Sequence, residues 1–80
     1  MSMNNQLFST SDFYLSSVLV CLGFLLESLD NSNRHRASFI FKNTPELEKT
    51  VVNYWNRQLQ IEPLGLFESQ RYLKNRIYGQ

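Results

Sequence analysis

The sequence has few of the residues on which compact chemical sites depend. Its 80 residues include one cysteine, Cys21, and one histidine, His35. A single cysteine excludes a disulfide within the chain and a zinc site built from several cysteines. Cys21 lies in an apolar stretch, as a small buried hydrophobe would, whereas His35 lies in a polar turn. We therefore expect no metal site and no Cys–His catalysis.

The sequence also lacks a glycine-rich phosphate loop and a catalytic cluster of acids. Asp12, Glu46, Glu48 and Glu68 each fall where a helix start or a solvated helix face would place them. No candidate base lies near Cys21 in the sequence. We expect a protein that is not an enzyme, with no cofactor and no evident small-molecule substrate.

A long hydrophobic run is missing as well. Residues 13–26 include eleven apolar side chains among fourteen, whereas about 20 apolar residues are needed to span a bilayer. No basic residue precedes Arg34, so the N-terminus does not resemble a signal peptide. These features predict a cytoplasmic protein that does not enter a membrane and keeps its thiol reduced.

Basic residues are absent from the first part of the chain. Residues 1–33 carry three acids and no Lys or Arg, while residues 34–80 carry all eight basic residues and four acids. The net charge of +1 argues against a uniformly basic surface. The basic second half still allows a local cationic patch.

What is present indicates one small folded domain. Apolar residues make up 42% of the chain, which is too many for a disordered tail. We expect residues 1–6 to be disordered and residues 7–79 to form a single domain.

Apolar spacing and capping residues predict a first helix over about residues 12–22. Thr10 or Ser11 is suited to cap its start, and Gly23 is suited to end it in the left-handed conformation. Residues 24–30 and 36–42 then alternate as strands on either side of a polar turn, which predicts an antiparallel hairpin.

The second half predicts two more helices. Thr44 and Pro45 are suited to begin helix two, which should end near Arg57. Leu59 and Ile61 alternate as in a short edge strand, and Glu62-Pro63 opens a helix that ends at Gly79. The order α-β-β-α-(β)-α predicts a small two-layer α+β domain in which three helices cover the hairpin sheet.

Helix one has more apolar side chains than one core-facing stripe requires. A helix that is apolar nearly all round is buried on more than one side, either by helices two and three or by a second molecule, most simply in a homodimer. Two amphipathic rings close helix two, and such rings anchor cores and interfaces alike. The leading hypothesis is a module that binds itself or another protein through Phe13, Tyr14, Val20, Tyr54 and Trp55.

The basic second half supports an alternative, a nucleic-acid-binding protein. Arg71, Lys74 and Tyr78 have the spacing of one helical face, where cations attract phosphates and a tyrosine can stack on an unpaired base. A charged outer face is also what an amphipathic helix presents to water, so both interpretations stay open. This alternative site comprises Arg34, Arg36, Arg71, Lys74, Arg76 and Tyr78.

An ordered series of short segments resembles a family of short bacterial and phage proteins classed as a domain of unknown function. The segments are Phe8 to Asp12, Tyr14-Leu15, Leu22-Gly23-Phe24, Phe39-Ile40-Phe41, Pro45-Glu46-Leu47, Tyr54-Trp55-Asn56, Ile61-Glu62-Pro63 and Leu73-Lys74. Together they cover about residues 7–78. Two features depart from the family pattern, namely Glu62 in place of Asp and a hairpin turn without Gly. The resemblance implies a phage or mobile-element origin in a bacterial cell and supplies no site residues.

Overall fold

The computed structural model describes residues 7–33 and 35–78, which form three helices and a three-stranded antiparallel sheet. The elements are β1 (Leu7–Thr10), α1 (Phe13–Cys21), β2 (Leu26–Asp30), β3 (Ser38–Lys42), α2 (Pro45–Trp55) and α3 (Pro63–Tyr78). The predicted fold class, a small α+β domain with three helices and an antiparallel sheet, is confirmed. The expected disorder of residues 1–6 and the expected helix end at Gly79 lie outside the described residues.

β3 is the central strand of the sheet. It pairs with β1 on one side, where Phe8 is opposite Phe41, and with β2 on the other, where Leu29 is opposite Phe39. The predicted β2–β3 hairpin is therefore confirmed. Both of its strands are two residues shorter at the start than predicted, and β2 contains an irregularity between Leu26 and Ser28.

The predicted position of the third strand is wrong. Leu59 and Ile61 belong to the connection between α2 and α3, which contains no strand, and β1 at Leu7–Thr10 supplies the third strand instead. Leu59 and Ile61 alternate because each is half-buried in that connection. β1 escaped prediction because Ser9 and Thr10 resemble helix-capping residues more than strand residues.

α1 begins at Phe13, one residue later than predicted, and its N-cap differs from the predicted one. The carboxylate of Asp12 accepts the backbone N–H groups of Tyr14 and Leu15, each at 3.0 Å, so Asp12 is the N-cap. The expectation that Thr10 or Ser11 caps this helix is wrong because β1 extends to Thr10, whose hydroxyl accepts the N–H of Asp12 at 3.1 Å instead.

The other helix boundaries follow the sequence closely. Gly23 has φ +97° and ends α1 as predicted. The hydroxyl of Thr44 accepts the N–H of Leu47 at 3.1 Å, and Pro45 is the first residue of α2. Glu62 caps α3, since its carboxylate accepts the N–H groups of Leu64 and Gly65 at 3.0 and 2.7 Å.

The core joins all three helices to the central strand. Each of its side chains is at most 2% exposed, and helix α1 contributes two, β3 two, and α2 and α3 one each. These residues are Leu15, Leu19, Phe39, Phe41, Leu47 and Leu73. The helices therefore cover one face of the sheet, as the α+β prediction requires.

Candidate nucleic-acid interface

A groove of about 640 Å³ lies between the β2–β3 loop and the C-terminal end of α3. The start of α1 and the central strand also contribute to its lining. Its lining residues are Ser11, Phe13, Asn31, His35, Arg36, Ala37, Phe39, Lys74, Ile77 and Tyr78. The groove thus brings together the two parts of the chain that the nucleic-acid hypothesis requires, although they are nearly 40 residues apart in sequence.

A long-range hydrogen bond fixes the loop to the helix. The side-chain amide of Asn31 donates to the backbone carbonyl of Ile77 at 3.2 Å. This carbonyl is in the last turn of α3, where backbone oxygens have no partner within the helix. The bond therefore satisfies one such oxygen and holds the β2–β3 loop beside the end of α3.

The electrostatics of the groove favour an anionic ligand. Arg36 and Lys74 line it and are exposed, and none of the described lining residues is acidic. Within the described chain, neither cation forms an ion pair with a carboxylate. Both charges are therefore available to a phosphate group.

The two acids adjacent in sequence to the lining residues are already engaged. Asp12 caps α1. Asp30 accepts the hydroxyl of Ser32 at 2.7 Å and its N–H at 3.0 Å, and these bonds lower the pKa of the Asp30 carboxyl. Asp30 accepts both bonds through Oδ1, so this oxygen is engaged within the loop.

Aromatic rings complete the groove. The Lys74 ammonium lies 5.9 Å from the centroid of the Phe13 ring, within the range of a cation–π contact. The Phe13 ring also packs against Phe39 at 6.4 Å. Tyr78 also lines the groove and is 80% exposed. Two positive charges and accessible aromatic surface are thus combined within one site.

The structure separates the remaining candidates for nucleic-acid binding. Arg71 is exposed on α3 but does not line the groove. Arg76 donates from Nη1 to the hydroxyl of Tyr72 at 2.8 Å, and its guanidinium lies 5.8 Å from the centroid of that ring. Arg34 lies outside the described residues. Arg36, Lys74 and Tyr78 are the members of the predicted set that come together.

The predicted protein-binding residues divide into two kinds. Phe13, Val20 and Tyr54 are half-buried and pack against the core, so the chain itself covers much of the apolar surface of α1. Tyr14 and Trp55 are 66% and 62% exposed. Burial and the negative charge of nearby Asp12 raise the pKa of the Tyr54 hydroxyl.

Sequence reasoning missed several of the groove residues. Ser11, Asn31 and His35 attracted no functional prediction, and Phe13 was assigned only to the protein-binding set. Asn31 and Ile77 are 46 positions apart, so no local pattern indicates that they meet. The only available signal was the joint occurrence of cations at the hairpin and on α3.

The described residues contain neither a membrane-spanning helix nor a cluster of metal ligands. None of the helices there is long and apolar enough to cross a membrane. No group of three or more His, Cys, Asp or Glu side chains there is arranged to hold a metal ion.

Comparison with known proteins identifies a family. Searches of curated proteins and of solved structures find no match to the chain. The model of one protein family, described as a domain of unknown function (DUF5659), matches residues 5–79. This match extends over nearly the whole chain, as did the series of short segments noted in the sequence. The chain therefore belongs to the DUF5659 family.

Proposed function

We propose that this protein is a non-enzymatic module that binds nucleic acid in the groove between the β2–β3 loop and the end of α3. The observation that carries the proposal is the convergence of Arg36 and Lys74 on one groove with no acidic residue among its described lining. Cations arranged in this way attract the phosphate backbone of nucleic acids.

The number of cations limits the expected strength of binding. Two phosphate contacts give a slope of about −1.4 to −1.8 in a plot of log affinity against log salt concentration. Affinity should therefore fall about tenfold between about 50 and 200 mM salt. Binding that depends on so few contacts should be weak, with dissociation constants in the micromolar range or above.

The test is to measure the affinity of a labelled oligonucleotide by fluorescence anisotropy across this range of salt. We expect the variant with Arg36→Ala and Lys74→Ala to bind more weakly and to lose most of the salt dependence. The matched control, Lys42→Ala with Lys49→Ala, removes two exposed positive charges that do not line the groove. Equal weakening by both double variants would contradict the proposal, as would no binding by the unmodified protein at low salt.

A second candidate function, protein binding, is favoured by the outer face of α2. Val52 and Trp55 lie three residues apart on that face and are 57% and 62% exposed. The Trp55 ring makes an edge-on contact with Tyr54, with centroids 4.9 Å apart, and its exposed surface suits an interface anchor. The partner is either a second copy of the chain or a host or phage protein.

Sedimentation velocity over a range of concentrations tests the self-association form of this second function. We expect a monomer–dimer equilibrium that Trp55→Ala shifts toward monomer, because this substitution removes the largest exposed apolar side chain of α2. The control is Leu25→Ala, which removes a 76% exposed side chain elsewhere. A monomer at every concentration would remove this candidate as a homodimer.

We also infer a phage or mobile-element origin and a location in the bacterial cytoplasm. The resemblance of the sequence to short bacterial and phage proteins supports the origin. The single cysteine, which can form no disulfide within the chain, supports a location in a reducing compartment. The bacterial cytoplasm is such a compartment and also contains nucleic acid.

A further inference from the structure

Tyr78 is the most exposed of the large hydrophobic side chains in the described chain. It is 80% exposed, and it lines the groove together with Arg36 and Lys74. Among the described residues, no ring packs against it and no side chain bonds to its hydroxyl. Its ring is therefore free to contact a ligand.

Tyr72, on the same helix, differs from Tyr78 because it contacts a neighbouring side chain. Its hydroxyl accepts a hydrogen bond from Arg76 at 2.8 Å, and the Arg76 guanidinium lies 5.8 Å from its ring centroid. Tyr72 does not line the groove of Tyr78. The two tyrosines thus differ in environment, since Tyr72 pairs with Arg76, whereas Tyr78 is exposed in a groove that two cations without a carboxylate partner also line.

An exposed ring beside cations suits an unpaired base better than a base pair. Every nucleobase can stack on an aromatic side chain through its π face, whatever the sequence. In a duplex these faces are covered by neighbouring base pairs. The groove volume of about 640 Å³ is within the range of sites for single small ligands, about 300–1,000 Å³, and so provides space on the scale of a nucleotide.

We propose that the groove binds single-stranded nucleic acid, with one unpaired base stacked on Tyr78 and the adjoining phosphates held by Arg36 and Lys74. This inference rests on the proposed function and specifies the form of its ligand. Phosphate contacts alone would hold a single strand and a duplex alike. The stacking surface provides the preference for the single strand.

The test compares three ligands by fluorescence anisotropy at low salt. The first is a labelled single strand of about ten nucleotides, the second is the same strand annealed to its complement, and the third is a nucleoside monophosphate used as a competitor. We expect the single strand to bind at least tenfold more tightly than the duplex. We expect the mononucleotide to compete only at far higher concentration, because it lacks the second phosphate contact.

Variants of Tyr78 isolate the stacking contribution. Tyr78→Ala should weaken single-strand binding about tenfold, since loss of a stacked base has an effect of this order, and should leave duplex binding unchanged. Tyr78→Phe should retain the affinity because it keeps the ring. Tyr72→Ala is the matched control and should bind as the unmodified protein does. Circular dichroism of each variant establishes that the helices are intact.

The remaining outcomes distinguish this inference from the function on which it rests. Equal affinity for single strand and duplex, with no effect of Tyr78→Ala, would overturn the inference and leave phosphate binding in place. Competition by the mononucleotide at the concentration of the strand would assign the groove to free nucleotides and overturn it too. Absence of binding to every ligand would overturn both proposals.

Discussion

Arg57 has a backbone conformation that residues with a Cβ rarely adopt. It has φ +60° and is the only described residue other than glycine with a positive φ. Its N–H donates to the carbonyl of Tyr54 at 3.1 Å, and that of Gln58 donates to Asn53 at 2.9 Å. This pair of bonds is a Schellman motif, whose left-handed position is usually occupied by Gly or Asn.

The end of α1 has the same hydrogen-bonding pattern with the preferred residue. Gly23 donates to the carbonyl of Val20 and Phe24 to that of Leu19, each at 3.0 Å. The left-handed helix end at Gly23 could be predicted from the sequence, because glycine is the usual residue at such a position. The left-handed helix end at Arg57 could not be predicted, because arginine is not typical of this position.

Replacing Arg57 with glycine should stabilise the protein. The left-handed conformation costs a residue with a Cβ about 1–2 kcal/mol, part of which is offset because glycine is more flexible in the unfolded chain. We expect Arg57→Gly to raise the free energy of unfolding by up to about 1 kcal/mol, which corresponds to about 4–8 °C in Tm for a domain of this size. Thermal and urea denaturation measure the change.

The converse substitution serves as the control. Gly23→Ala should lower stability by about 1 kcal/mol, even though no atom lies within 4 Å of the added Cβ. A loss there would therefore come from the backbone and not from a clash. Unchanged or reduced stability in Arg57→Gly would contradict this prediction and show that the Arg57 side chain itself stabilises the fold.

Among the elements, α1 and α3 pack antiparallel through small side chains. A Cβ added to Gly65 would lie 3.4 Å from the sulfur of Cys21, near the end of α1. At the other end, Lys74 lies over the ring of Phe13. Between these contacts, Ser17 of α1 and Ser69 of α3 are both buried. Small side chains on both helices permit this close approach.

The buried serines satisfy their hydroxyl groups within their own helices. Ser17 donates to the carbonyl of Phe13 at 2.8 Å, and Ser69 donates to that of Gly65 at 2.9 Å. Each hydroxyl thus bonds to a carbonyl of its own helix and, among the described residues, makes no hydrogen bond to another element. Size rather than polarity should therefore determine which residues these positions tolerate.

Ser17 provides a test of that distinction. Ser17→Ala should change the free energy of unfolding by less than about 0.5 kcal/mol, because alanine favours the helix and leaves no partner in another element unsatisfied. Ser17→Leu should lower it by about 1–3 kcal/mol, because the larger side chain overpacks the contact with α3. Urea denaturation compares the two. A large loss of unfolding free energy in Ser17→Ala would contradict this expectation, because it would mean that the hydroxyl itself stabilises the fold.

The predictability of the elements depended on the strength of their local signals. The helices could be predicted from apolar periodicity together with caps such as Thr44-Pro45. The hairpin strands followed from alternation around Phe39 and Phe41. The strand at Leu7–Thr10 could not be predicted, because four residues with two hydroxyl side chains become a strand only through pairing with β3.

At the scale of the whole molecule, topology determines the candidate site. The hydrogen bond from Asn31 to Ile77 and the packing of Phe13 on Phe39 join three distant segments around the groove. The sequence indicated the cations and the tyrosine but not which of them converge. It placed Arg36, Lys74 and Arg76 together, whereas in the fold Arg76 pairs with Tyr72 and the other two line the groove.

The acidic first part and the basic second part of the chain both contribute residues to the groove. The N-terminal part, which contains no cation before Arg34, contributes Ser11, Phe13 and Asn31 to the groove, and the basic part contributes the charges. A net charge near zero disfavours general attraction to nucleic acid. Binding should therefore be confined to this groove.

Backbone amide chemical shifts recorded during titration with a single-stranded oligonucleotide locate the binding site on the protein. We expect the changes to be concentrated at the groove, in residues 11–13, 31, 35–37 and 74–78, with little change at Val52 and Trp55 on α2. Changes centred on the outer face of α2, or no changes at saturating oligonucleotide, would contradict this expectation.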